Sequence, residues 1–200
     1  MKAALFSGGK DSVYAALLEW PVDIFITFIY DFPRPSPHLL NLHKAVELAA
    51  AMGIPLAILK VDRGREFEQE AAFLRKLGVS ELVAGDQAVE DHLRYMERLA
   101  GEAGAKLREP LWGLDPGELL LREAGALDFL VIGANVADLV CDFVSRDNAE
   151  AFLAKTRALG VDPIGERGEY HTLVVKVGGK GIVYRCRDVR RYGDYYIAHL

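Results

Sequence analysis

Short apolar segments alternate with amphipathic segments along the first 160 residues. Runs rich in β-branched and aromatic residues, bounded by Gly, Pro or Asp, predict five strands, over residues 2–6, 23–30, 54–61, 81–84 and 128–133. Apolar residues at helical spacing between them predict helices over residues 13–20, 38–52, 67–77, 89–103, 116–124 and 148–159. This alternation predicts an α/β fold, a doubly wound parallel sheet with helices on both faces.

The pattern changes after residue 160. Residues 173–177, 181–187 and 192–199 have the character of strands joined by short turns, without an intervening helical pattern. We therefore predict an α/β domain over residues 1–160 and a small β-rich portion over residues 161–200. Three prolines within residues 31–37 predict a loop.

Composition and charge exclude several classes of protein. Of the 200 residues, 51% are hydrophobic and 26% charged, which is the balance of a folded globular domain. The net charge of −5 and the lack of a Lys/Arg run argue against nucleic acid as a partner. We find neither a membrane-spanning stretch nor a signal peptide, and so expect a soluble cytoplasmic protein. Cys141 and Cys186, the two cysteines, form no Cys-x-x-Cys pair and are interpreted as buried small side chains.

The most informative segment lies between the first strand and the first helix. Glycines allow a tight turn and close backbone approach, and the helix that follows directs its N–H groups and positive dipole end at the turn. Serine hydroxyls and a lysine add further donors, so these six residues predict a phosphate-binding loop: Ser7, Gly8, Gly9, Lys10, Asp11 and Ser12. Ala4 and Asp11 stand where a Walker A loop needs Gly and Ser or Thr.

Asp11 is the unexpected residue in this loop. Its carboxylate repels phosphate unless a cation lies between them, and Mg²⁺ bound to ATP resolves that conflict. We therefore predict that the loop binds ATP and that Asp11 is a ligand of Mg²⁺. The alternative is an ordinary Gly-rich turn with an Asp near the helix start.

A second cluster of chemical groups occupies residues 165–172. The segment combines two glycines with Glu166, Glu169 and His171, and it lies where the α/β pattern ends. The two carboxylates suit a cation such as ammonium, and the imidazole suits proton transfer near neutral pH. These three residues are the catalytic candidates, and a solvated surface hairpin is the alternative.

The two segments resemble known motifs. Ser-Gly-Gly-Lys-Asp-Ser resembles the PP-loop of N-type ATP pyrophosphatases, which implies a fold like that of the adenine nucleotide alpha-hydrolases and cleavage of ATP into AMP and pyrophosphate. Gly-Glu-x-Gly-Glu-Tyr-His-Thr, with the weaker Val-Ala-Gly-Asp and Pro-Leu-Trp segments, resembles the diphthine–ammonia ligase family of that superfamily.

The resemblance implies a substrate and a partner. ATP activates the carboxylate of diphthine on elongation factor 2 as an acyl-adenylate, and ammonium converts it to the amide, diphthamide. The acceptor-binding candidates are Gly168, Tyr170, Thr172 and Trp112, since an aromatic face suits a trimethylammonium group; packing is the alternative for Trp112. The oligomeric state is open, with a homodimer as one option.

Two other functions remain open from the sequence. One is a PP-loop enzyme that modifies tRNA, although the net charge argues against it. The other is a nucleotide-binding module without catalysis. For the nucleotide we expect the adenine to meet residues 27–31, mostly through backbone groups. His38 and His43 are interpreted as a cap or as part of a solvated helix face.

Overall fold

The amino-terminal half of the chain builds a parallel sheet. The computed structural model describes residues 1–31 and 35–200; residues 32–34, in the loop predicted over 31–37, lie outside the described part. Five parallel strands pair in the order β3-β2-β1-β4-β5: β1 (Lys2–Leu5), β2 (Ile24–Ile29), β3 (Leu56–Lys60), β4 (Glu81–Val83) and β5 (Lys106–Arg108). The sheet confirms the predicted α/β class, and its fifth strand, β5, was not predicted.

In the described part of the chain, seven α-helices connect and cover the strands: α1 (Lys10–Leu18), α2 (Pro37–Leu40), α3 (Leu42–Met52), α4 (Glu66–Leu77), α5 (Glu90–Ala103), α6 (Pro116–Ala126) and α7 (Ala149–Ala158). The helix predicted over residues 38–52 is divided at Asn41, whose buried side chain donates to the Pro37 and Ala198 carbonyls. Within residues 1–31 and 35–200, no helix is both long and apolar enough to cross a bilayer.

Both faces of the parallel sheet are buried, as predicted. On one face Ala3 and Ile26 pack against α4 and α5, and on the other Ala4 and Phe25 pack against α1 and α3. Successive strand residues point to opposite faces, so a strand covered on both sides is apolar at every position. This explains why the central strands appear as unbroken apolar runs in the sequence.

The remaining strands form a second, antiparallel sheet. It consists of β6 (Leu127–Ala134), β7 (Phe143–Val144), β8 (Tyr170–Val177), β9 (Lys180–Gly181), β10 (Asp188–Tyr192) and β11 (Tyr195–His199). Its order is β10-β11-β6-β8-β9, with β7 also paired to β6. The β-rich carboxyl-terminal portion is thereby confirmed.

Two strand predictions are wrong in detail. Residues 128–133 were expected in the parallel sheet but form β6, the centre of the antiparallel sheet. The residues of β6 are almost all buried, and an unbroken apolar run does not reveal the direction of pairing. Residues 182–187 are largely irregular, and β7 was not anticipated. The division near residue 160 stays a prediction, although the antiparallel sheet draws strands from both sides of it.

The two cysteines correct another expectation. Cys141 and Cys186 form a disulfide with 5.7 Å between the Cα atoms, instead of two separate buried thiols. The bond attaches the irregular segment before β10 to the turn that follows β6. The sequence did not indicate the pairing because 45 residues separate the cysteines.

We predict that this disulfide stabilises the fold. Closing a loop of 45 residues in the unfolded chain corresponds to about 4 kcal/mol in the loop-entropy treatment. Cys141→Ala, Cys186→Ala and the double variant are therefore expected to lower the free energy of unfolding by the same amount, as measured by urea denaturation without reductant. Two free thiols in the denatured, unreduced wild-type protein would contradict the prediction.

Candidate functional site

A cavity of about 800 Å³ opens at the carboxyl ends of β1, β2 and β4. The phosphate loop, the end of β2, the turn after β4 and the segment before β8 all contribute to its walls. It brings together most of the predicted site residues, namely Ser7, Gly9, Asp11, Ser12, Glu166, Gly168, Tyr170, His171 and Thr172. The two motifs, about 160 residues apart in sequence, thus face one space.

The phosphate loop is shaped by its glycines and hydroxyls. Gly8 has φ of +78°, and a Cβ there would lie 3.0 Å from the Ala45 Cβ, so both conformation and packing require glycine. The Ser7 hydroxyl accepts a hydrogen bond from the Gly9 N–H at 3.1 Å, and the Ser12 hydroxyl donates to the Gly9 carbonyl at 3.0 Å. The loop is thus held open as a cradle at the start of α1, where the helix dipole favours an anion.

Lys10 lies behind this cradle. Its side chain is fully buried, and its Nζ lies 2.5 Å from Asp11 Oδ1 and 3.2 Å from Glu123 Oε2. Burial acts to lower the pKa of Lys10, but the Asp11 and Glu123 carboxylates outweigh it and hold this pKa above its ordinary value. The lysine therefore acts on the loop from the core, whereas the sequence suggested a point charge directed at phosphate.

Glu123 is a residue that the sequence analysis missed. It extends from α6, is completely buried, and has its pKa raised well above the ordinary range by burial and by Asp11. Its signal in the sequence is a charged residue one turn after Leu119 and Leu120, on the apolar face of a helix. A buried carboxylate at such a position needs a cationic partner, and Lys10 is that partner.

Asp11 is placed to face the cavity. Its side chain is 30% exposed and lines the cavity, as does Asp86 in the turn after β4. Mg²⁺ is commonly held by one or two carboxylates together with substrate phosphates, so this pair fits the ion that accompanies ATP. In residues 1–31 and 35–200, no three His, Cys, Asp or Glu side chains converge as a protein-only metal site. Sequence reasoning gave no role to Asp86.

Two further carboxyl groups accept hydrogen bonds from the turn after β4. Glu109 accepts a hydrogen bond from the Asp86 N–H at 3.2 Å, and Glu166 Oε1 accepts from the Gln87 and Ala88 N–H groups at 3.0 and 3.1 Å. Burial and the charge of Asp86 raise the pKa of Glu109 to about 8. Glu166 therefore ties the second motif to the turn after β4 while contributing charge to the cavity.

The other residues of the second motif divide between core and cavity. The Tyr170 ring is 2% exposed and its hydroxyl donates to the Pro163 carbonyl at 2.5 Å, so much of this side chain serves packing. Glu169 accepts from the Arg167 N–H at 3.0 Å and is not among the described residues that line the cavity. The same is true of Trp112, which lies in the turn after β5.

Two neutral histidines pack against each other in the cavity wall. The rings of His171 and His38 lie 5.1 Å apart in an edge-to-face arrangement. Burial lowers the pKa of His171 to about 4 and that of His38 to about 3. The expectation that His38 caps a helix or faces bulk solvent is wrong: it lines the cavity beside Gly9. Its place depends on α2 packing against β8, which no local pattern shows.

Thr172 has a role in the phosphate loop itself. Its Oγ1 accepts a hydrogen bond from the Lys10 N–H, the first amide of α1, at 3.0 Å. In the same strand the Val174 N–H donates to the Gly8 carbonyl at 2.8 Å. Gly9, the residue before α1, has no side chain with which to cap the helix, so the Thr172 hydroxyl, 162 residues from Lys10, takes that place.

We predict that Thr172→Val impairs ATP binding while Thr172→Ser does not. Valine keeps the shape but removes the oxygen that accepts from the Lys10 N–H, which should lower the free energy of unfolding by about 1–2 kcal/mol and loosen the cradle. The measurements are urea unfolding and calorimetric titration with Mg²⁺–ATP. Equal losses in the two variants would show that the hydroxyl is not the relevant group.

We predict a pH dependence of stability from Glu109. Because the folded protein holds this proton more tightly than the unfolded chain, the associated stability is present below about pH 4.5 and is lost as the pH rises to about 8. Glu109→Gln stays neutral and should show a smaller loss of unfolding free energy between about pH 5 and about pH 8.5. Glu97→Gln, at an exposed position, is the control. An unchanged slope in Glu109→Gln would contradict the assignment.

Comparisons with known proteins identify the family of this chain. The chain resembles a crystal structure described as a predicted subunit of a tRNA methyltransferase from Methanocaldococcus jannaschii, with 18% identity and a TM-score of 0.47 over 89% of this chain and 98% of that one. A comparison with curated proteins gives no significant match. The family described as the diphthamide synthase N-terminal domain matches residues 1–107, more than half of the 200 residues. The chain therefore belongs to the diphthamide synthase family.

Proposed function

We propose that the protein is an ATP-dependent diphthine–ammonia ligase that converts diphthine on elongation factor 2 to diphthamide. The observation that supports this most is the shared cavity: the phosphate loop and residues 165–172 line one space, and β8 is hydrogen-bonded to the loop. An enzyme that transfers an adenylyl group to an acceptor needs the nucleotide and the acceptor in contact, and this arrangement supplies it.

The walls of the cavity suggest how ATP is bound. The loop over residues 7–12 and the start of α1 suit the phosphates, and Asp11 with Asp86 suits the Mg²⁺ that accompanies them. The nucleoside is then directed toward residues 27–30, where the Thr27 hydroxyl donates to the Phe6 carbonyl and joins the ends of β1 and β2. Leu5, Phe28 and Met96 add an apolar surface for the base.

The proposed amidation proceeds in two steps. A carboxylate oxygen of diphthine attacks the α-phosphorus of ATP, and the bond to pyrophosphate breaks. Ammonia then attacks the acyl carbon, AMP leaves, and the nitrogen loses a proton. The loop stabilises the departing pyrophosphate, and His171, which lines the cavity in the second motif, is the proposed proton acceptor.

The acidic side of the cavity suits a cationic acceptor. Diphthine carries a trimethylammonium group, which cannot donate hydrogen bonds and is attracted by carboxylates and aromatic faces. Asp86 and Glu166 line the cavity beside the loop and supply carboxylates, and ammonium is drawn to the same groups. A polyanion such as tRNA would be repelled here, which favours a protein acceptor over tRNA.

We predict that the purified protein, with Mg²⁺–ATP and ammonium, lowers the mass of diphthine-bearing elongation factor 2 by about one dalton as NH₂ replaces OH. AMP and pyrophosphate should form in equal amounts. Asp11→Asn should keep the fold, as seen by circular dichroism, and lose AMP formation at least about a hundredfold because the Mg²⁺ ligand is removed. Asp147→Asn, on an exposed turn away from the cavity lining, is the matched control.

Other outcomes would redirect the assignment. AMP formation that depends on tRNA and not on elongation factor 2 would favour a tRNA-modifying enzyme. ATP binding without turnover of either acceptor would favour a nucleotide-binding module.

A further inference from the structure

A buried carboxylate lies next to Tyr30, which is part of the cavity lining. Glu70, on α4, is fully buried and accepts a hydrogen bond from the Tyr95 hydroxyl, on α5, at 2.9 Å. It also shares a side-chain hydrogen bond with Tyr30, the first residue after β2. One carboxylate thus joins a strand end to two helices.

The two tyrosines differ in their relation to the cavity. Tyr30 lines it, next to Ile29 and Phe28, whereas Tyr95 is not among the described residues in its lining. Tyr95 instead packs edge-to-face on the Phe67 ring with 5.6 Å between centroids. Burial raises the pKa of both phenols, so both hydroxyls stay protonated and can donate to Glu70.

We propose that Glu70 is a positioning residue for nucleotide recognition, which fixes the end of β2 by holding Tyr30. The inference rests on the proposed ATP site and names the residue that sets its selectivity for the base. At the last residue of β2, the Ile29 carbonyl accepts a hydrogen bond from the Val61 N–H at 3.0 Å, and Glu70 holds the residue that follows, Tyr30. The main chain is thereby held along residues 27–30, the stretch that meets the nucleoside at the proposed site.

Selectivity by backbone groups requires such a fixed strand end. Adenine and guanine differ in the donors and acceptors along one edge, and a main chain that can shift accommodates both. A residue pre-organised by a buried hydrogen bond to a carboxylate does not shift without losing that bond. Tyr30 therefore links a group outside the cavity to the surface that contacts the base.

The test compares two tyrosines that donate to the same carboxylate. Tyr30→Phe and Tyr95→Phe each remove one hydroxyl and keep the ring, so they form a matched pair. We expect Tyr30→Phe to weaken ATP binding by about five- to tenfold and to reduce the preference for ATP over GTP, as for a lost hydrogen bond to a charged group. Tyr95→Phe should stay within about twofold of the wild type in both quantities while losing comparable thermal stability.

Glu70→Gln provides the second arm. It keeps an acceptor and the shape of the side chain, so we expect an intermediate loss of ATP affinity and selectivity, measured by calorimetric titration with each nucleotide. If this variant does not fold, the tyrosine pair decides the question alone.

The outcomes separate this inference from the function on which it rests. Equal loss of ATP affinity in both tyrosine variants, or no change of selectivity in Tyr30→Phe, would overturn the role of Glu70 and leave the ATP site intact. A wild-type protein that does not bind ATP would overturn the proposed function and this inference together.

Discussion

The site depends on the junction between β8 and the phosphate loop. Two hydrogen bonds form it, from the Val174 N–H to the Gly8 carbonyl and from the Lys10 N–H to the Thr172 hydroxyl. Through them the antiparallel sheet is connected to the turn that follows the first parallel strand. Residues 165–171 of the second motif directly precede this junction in the sequence. Their side chains therefore lie beside the loop. The cavity is therefore a product of both sheets.

A carboxylate within a phosphate loop creates an electrostatic problem that the core solves. Asp11 lines the cavity, and behind it Lys10 and Glu123 are buried between α1 and α6. One cation is thus shared between two carboxylates, one of which faces the cavity. An unpaired charge in the core would be strongly destabilising, so the three residues function as a unit. The buried Lys10 consequently fixes the orientation of the Asp11 side chain, independently of the ligand in the cavity.

The cavity combines groups of contrasting ionisation. Asp86 and Glu166 place carboxylates on one side, whereas burial raises the pKa of the neighbouring Glu109 to about 8 and keeps that carboxyl protonated at neutral pH. His38 and His171 are kept neutral by the same exclusion of water. A site of this kind attracts cations and offers an uncharged base. Both properties are compatible with the reaction proposed above.

The sequence by itself determined the parts of the protein whose signals are local. Glycines and hydroxyls within six residues, at the start of a helix, predict the phosphate loop, and apolar runs predict the central strands. Tertiary structure decided what depends on distant partners: β6 joined the antiparallel sheet, Cys141 met Cys186, and Thr172 capped α1. It also directed Lys10 into the core and brought His38 and Asp86 to the cavity. Hydrophobic periodicity indicates which side of a helix or strand is buried, but the element that packs against that side is decided only by the tertiary fold.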